Sequence, residues 1–82
     1  MPKKRIVGVV ALGHVGAHVA YTLGVTGTAD LVKLCDINEK KLVSEHQDLM
    51  DAAMFMPHHV KYAMASYEEL GDCDIIINAI GK

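Results

Sequence analysis

The sequence predicts an α/β fold, a Rossmann-type parallel sheet of about four strands with helices packed on it. Three observations lead there. Short apolar runs alternate with segments whose apolar residues recur at helical spacing, which calls for parallel strands joined by right-handed crossovers. A glycine-bearing stretch joins the first run to the first helical segment, and an acidic residue ends the second run.

Residues 6–10 form a continuous apolar run and read as the first strand. The next six residues, Ala11, Leu12, Gly13, His14, Val15 and Gly16, match the dinucleotide-binding pattern G-x-G-x-x-G at its second and third glycines, with Ala11 in place of the first. Gly13 lets the main chain lie against a pyrophosphate, and Gly16 lets the helix approach its strand. Ala11 stands where the tight turn is made. If that turn needs positive φ, alanine costs about 1 kcal/mol; otherwise the turn has adjusted to negative φ. A first helix is expected over 14–26, with Val15, Val19, Thr22 and Leu23 toward the sheet and Gly24 and Gly27 weakening and then ending it.

The second strand, 31–35, runs into Asp36, twenty positions after Gly16, where this fold places the carboxylate that accepts the adenosine ribose hydroxyls. Such a carboxylate favours NAD, because it repels the 2′-phosphate of NADP. Asn38 is a good N-cap for a second helix with Glu39 in its first turn. Leu42, Val43, His46, Leu49, Met50, Ala53 and Met54 keep helical spacing up to Pro57, more apolar surface than one sheet face requires. Residues 60–63 form a short third strand. Ser66 to Glu69 is a capping box opening one or two helical turns, and Asp74 leads into a fourth strand over 75–80.

With 82 residues, 51% of them hydrophobic, the chain makes one small domain with a modest core. A net charge of −2 supplies no field to attract nucleic acid or an anionic membrane. The one basic cluster, Lys3, Lys4 and Arg5, falls at the amino ends of the strands, away from the ligand edge. No apolar run approaches the roughly 18 residues of a membrane span, and the N-terminus lacks signal-peptide organisation, so a cytoplasmic protein is expected. Cys35 and Cys73 follow no metal or redox spacing and read as small hydrophobes without a disulfide. His14 and His18 share a helix face without the glutamate of H-E-x-x-H, and His58 and His59 follow Pro57 in a turn. No metal site is expected.

Residues 5–10 running into Gly13, His14, Val15 and Gly16, then residues 34–38, Asp48 with Leu49, and residues 74–77 form an ordered set that resembles the N-terminal nucleotide-binding half of the lactate and malate dehydrogenase family. The chain is particularly similar to the bacterial L-lactate and L-2-hydroxyisocaproate members, and Ala11 is the clear departure. The resemblance implies NAD as cofactor, with His14 and Val15 in the turn by the pyrophosphate and Asp36 on the ribose. It further implies Lys41 and Tyr67 on the adenosine side, and Gly81 where the cofactor backbone passes closely.

In that family a histidine oriented by an aspartate, together with arginines that polarise the keto group and hold the substrate carboxylate, follows the fourth strand. No arginine occurs here after Arg5, so no catalytic residue is assigned. The expectation is that 1–82 is a partial dinucleotide-binding domain of an L-2-hydroxy acid dehydrogenase, unable by itself to reduce a 2-keto acid. Two other classes share a glycine turn and a following acid: non-catalytic NAD-sensing regulatory modules and S-adenosylmethionine-dependent methyltransferases. The long, Met-rich second helix with Asp48 and Leu49 favours the dehydrogenase over the former, and the sparse glycines disfavour the latter. The same helix and the apolar fourth strand lead us to expect a homo-oligomer.

Overall fold

Residues 4–80 are described by the computed structural model. In order they form β1 (Ile6–Val10), α1 (His14–Val25), β2 (Leu31–Cys35), α2 (Glu39–Ala53), β3 (Lys61–Met64), a 3₁₀ helix (Glu68–Asp72) and β4 (Ile75–Asn78). The strands make one parallel sheet in the order β3-β2-β1-β4. The first two connections build the sheet outward from β1, and the third jumps back to place β4 on the other side of β1. Between β1 and β4 the strand order reverses, and ligands of such sheets bind in the crevice outside the carboxyl ends at that point.

Alternation along β1 divides the core in two. Val7 and Val9 join Val32, Leu34, Leu49 and Tyr62 on the face carrying α1 and α2. Val10 joins Cys35, Ala65 and Leu70 on the other, where the 3₁₀ helix lies. Gly8 makes that second contact short: a Cβ there would come within 3.0 Å of Cys73 Sγ and 3.1 Å of a Leu70 methyl. At the amino ends, the Asp30 carboxylate accepts from the Arg5 main-chain N–H (2.7 Å) and pairs with its guanidinium, while Asp74 accepts from the Ile6 N–H (2.8 Å). Three strand starts are stitched together there by carboxylates.

The face that α1 turns to the sheet differs from the expected one. Gly16, Ala20 and Gly24 are buried, with Val19 and Leu23 partly so, whereas Val15 and Thr22 point outward. Close approach is the reason. A Cβ on Gly16 would fall on the Ala11 carbonyl oxygen, and one on Gly24 would strike the Tyr62 hydroxyl and Met56. Tyr62 uses that space to donate to the Ala20 carbonyl (2.8 Å), and burial pushes its phenol up to about 12. Gly27 ends the helix in the left-handed region, at φ +70°.

Helix α2 also departs from its sequence reading. It stops at Ala53 rather than continuing toward Pro57, and of its periodic apolar residues Val43, Met50 and Met54 are exposed; Leu49 alone is fully buried. The third strand is shifted one residue from the expected 60–63, and the fourth ends at Asn78 instead of Ile80. The chain beyond β4 still pairs once more, Ala79 N–H donating to the Val10 carbonyl (3.0 Å). Both cysteines are free, Cys35 buried and Cys73 half-buried.

Candidate functional site

The carboxyl ends of all four strands meet around one cleft of about 310 Å³. Ala11 follows β1, Asp36 and Ile37 follow β2, Tyr67 follows β3, and Ala79 and Ile80 follow β4; Gly13, Asn38 and Lys41 complete the lining. Local chemistry builds each wall. Ala11 N–H still pairs with the Cys35 carbonyl (2.8 Å) as an extension of the sheet, and the chain then reverses with Ala11 at φ +73°. The turn therefore keeps the left-handed geometry that glycine ordinarily supplies, and alanine bears the strain.

Asp36 locks the turn from the neighbouring strand. Its Oδ2 accepts from the Leu12 N–H (2.7 Å) and its Oδ1 from the Asn38 N–H (2.8 Å). Partial burial works to raise this carboxyl, but the two N–H donors and the Lys41 charge outweigh it and hold the group below its ordinary value. It is a carboxylate at neutral pH. One lone pair on each oxygen serves the protein, leaving a second on each to accept hydroxyls from a ligand.

The two helix starts differ in a way that bears on charge. At α2 the Asn38 side chain accepts from the Lys41 N–H (3.1 Å), and Glu39 stands in the first turn. At α1 no side chain caps the N-terminus and no acidic residue stands in the first turn. The positive end of α1 is thus left for an anion from outside. Gly13, its N-cap, has open space where a Cβ would be, with only the Lys41 ammonium within 4 Å, at 3.9 Å. The protein's own packing does not require glycine at that position.

The structure brings Gly13, Asp36, Lys41 and Tyr67 into this cleft. Lys41, expected on the adenosine side, lines the same cleft, with its ammonium 3.9 Å from where a Gly13 Cβ would sit and its charge acting on Asp36. Gly16 acts from beneath, by admitting the Ala11 carbonyl. Val15 is 65% exposed at the start of α1, so the alternative of a core-facing valine is excluded. His14 is exposed and opens onto a second, broader cleft between α1 and α2 with His18, Glu45 and Asp48. Gly81 lies outside the described residues. Sequence reasoning missed Ile37, 87% exposed beside Asp36, and Ile80; adjacency to an acid at a strand end was the one available signal for the former. Among the described residues no three histidine, cysteine or acidic side chains gather as a metal site.

The pattern of the lactate/malate dehydrogenase NAD binding domain matches residues 4–82. The chain belongs to this family. NAD is the cofactor this membership indicates, and the uncapped α1 terminus, the free space at Gly13 and the ionised Asp36 fit it. An L-lactate dehydrogenase of Fusobacterium nucleatum is 35% identical over all 82 residues, which make up 26% of that protein. L-lactate dehydrogenase 1 of Bifidobacterium longum is 30% identical over the same span, again 26% of its length. Among solved structures, a minor L-lactate dehydrogenase from Enterococcus mundtii superposes with a TM-score of 0.90 at 32% identity, over 96% of this chain and 25% of that one. The malate dehydrogenase of Cryptosporidium parvum, at 23% identity and a TM-score of 0.88, shares the fold. The chain spans about a quarter of the length of the relatives it matches.

Proposed function

We propose that the chain is the first part of the NAD-binding domain of an L-2-hydroxy acid dehydrogenase of the L-lactate type. The observation that carries this reading is the convergence of all four strand ends on Asp36 and the turn between β1 and α1. Bound NAD supplies the hydride acceptor, and NADH the donor, for interconverting a 2-hydroxy and a 2-keto acid. The residues of this chain bind and orient. Asp36 accepts the adenosine ribose hydroxyls, the free N–H groups at His14, Val15 and Gly16 together with the Lys41 ammonium hold the pyrophosphate, and Tyr67 with Ile37 flanks the adenosine. Exposed Val15 offers an apolar contact as the cofactor leaves the turn. The chain spans 26% of the Fusobacterium relative's length, and the proposal gives these residues the binding and orienting of the cofactor alone.

Calorimetry with NADH and NADPH tests the ribose assignment. Wild type should prefer NADH, and Asp36→Ser should weaken NADH about tenfold while narrowing the preference, since it removes a charged acceptor and the repulsion of a 2′-phosphate. Equal affinity of the wild type for both cofactors overturns the assignment.

A homo-oligomer and a cytoplasmic location belong to the same proposal. The two unpaired cysteines support the location. Met50, Met54 and Phe55, the last 87% exposed, present an apolar patch at the end of α2 that supports association through this helix. Met54→Lys should lower the mass measured by light scattering at high concentration; an unchanged oligomer excludes the patch as the contact.

A further inference from the structure

Lys33 stands in the middle of β2, in register with Gly8 on one side and Ala63 on the other, where a parallel sheet ordinarily carries an apolar residue. Its side chain is only 16% exposed, and its ammonium donates to the Glu69 carbonyl (2.7 Å) and to Asp72 Oδ1 (2.6 Å). Both acceptors belong to the 3₁₀ helix. Five residues of 3₁₀ helix do not hold themselves together, so such an element keeps the place its anchors give it. Leu70 is the apolar anchor, and Lys33 is the polar one.

Tyr67 is the N-cap of that helix. Leu70 N–H donates to the Tyr67 carbonyl (3.2 Å) and Glu69 N–H to the Ser66 carbonyl (3.1 Å), while Glu69 Oε1 accepts from the Ser66 N–H (2.8 Å). The Tyr67 ring is exposed, and among the described residues no hydrogen bond holds its hydroxyl. Its position in the cleft is therefore set by the backbone beneath it. Glu69 links the two ends of this argument, closing the turn at Ser66 with its side chain and meeting Lys33 with its carbonyl.

We propose that Lys33 is a positioning residue for the adenosine end of the cleft: by clamping the 3₁₀ helix to β2 it holds Tyr67 in the wall of the site that Asp36 lines. The assignment rests on the reading of the cleft as an NAD site. Lys33 itself touches no ligand; it acts through Glu69 and Tyr67.

ADP-ribose, which carries the adenosine and pyrophosphate without nicotinamide, is the probe. By calorimetry on the full chain, Lys33→Met should weaken it about tenfold, the loss expected when charge-assisted hydrogen bonds no longer hold a contact surface. Lys33→Arg should recover most of the affinity. In a Tyr67→Ala background, Lys33→Met should cost nothing further, because the residue it positions is gone. Equal losses in both backgrounds, or wild-type affinity in a folded Lys33→Met protein, overturn the proposal. Should Lys33→Met fail to fold, Asp72→Asn, which keeps the ammonium and neutralises its partner, replaces it with the same expected pattern. A wild type that binds no ADP-ribose overturns the NAD reading instead. The Tyr67 ring signals in ligand-free NMR spectra then judge the clamp: displaced or multiple in Lys33→Met they support it, and unchanged they overturn it.

Discussion

The two faces of the sheet are closed by different physics. Behind α1 and α2, burial of Val7, Val9, Val32, Leu34 and Tyr62 supplies the cohesion, with small residues on α1 allowing close approach. Across the sheet, a 3₁₀ helix buries Leu70 against Val10, Cys35 and Ala65, and charges do much of the rest through Lys33, Asp72 and Glu69. Strand β4 is poorly covered on both sides, since Ile75 and Ile76 point to opposite faces and both are exposed. The contrast is between a face closed by a broad apolar layer and a face closed by one leucine and a clamp of charges. The cleft lies between them, at the carboxyl edge of the sheet.

The largest expected effect tests the apolar half against β4. Leu34→Ala, in the fully buried layer, should cost about 2–5 kcal/mol of unfolding free energy by urea titration. Ile76→Ala, half in solvent, should cost less than about 1 kcal/mol. Comparable costs would break the distinction between the halves.

Acid should open the charged half first. The Lys33 hydrogen bond holds the Asp72 carboxyl below its ordinary value, and the Ser66 N–H does the same for Glu69. A carboxyl depressed in the folded state binds protons more readily when unfolded. The stability it lends is therefore present in full above its unfolded value near about 4, and is lost as pH falls through the folded one. Lys33, raised chiefly by its bond to Asp72, has the opposite sign: its contribution is complete below its unfolded value near about 10.4 and is lost as pH rises through the folded one. Amide protection over 68–72 should fall below about pH 4 while β1 and α1 remain protected. Simultaneous loss over both faces would show that they form one cooperative unit.

The smallest effect concerns the point where the faces meet. Ala11→Gly relieves about 1–2 kcal/mol of left-handed strain but adds up to about 1 kcal/mol of unfolded-chain entropy. Thermal stability should rise only slightly. NADH affinity should rise more visibly, by up to about fivefold, because a methyl is removed from the cleft lining. Weaker binding would mean that the alanine methyl contributes a contact instead of an obstruction.

Much of the site was legible because its signals are local. A glycine in the turn after a strand, a glycine beneath a helix and an acid at a strand end are each written within a few residues, so Gly13, Gly16 and Asp36 could be picked out in order. The inward face of α1 could not be read that way. Hydrophobic spacing nominated Val15 and Thr22, but the sheet accepts the helix only at a separation that small residues allow, and so Gly16, Ala20 and Gly24 turn inward. Likewise Lys41 has an ordinary helical position in sequence, and only the packing of α2 beside the glycine turn brings its ammonium over Gly13.

The sequence by itself determined the alternation of strands and helices, the direction of the strands, the N-cap at Asn38 and the presence of an acid at the end of β2. Periodicity, backbone dihedral preference and hydrogen-bonding capacity are properties of short stretches of chain. Only the tertiary structure decided that Ala11 keeps the left-handed turn, that Lys33 ties a distant 3₁₀ helix to β2, and that Tyr67 shares a cleft with Asp36. Each of these depends on the order in which strands lie side by side. That order brings Lys33 to Asp72, 39 positions away, and it is set by the burial of the whole apolar surface at once.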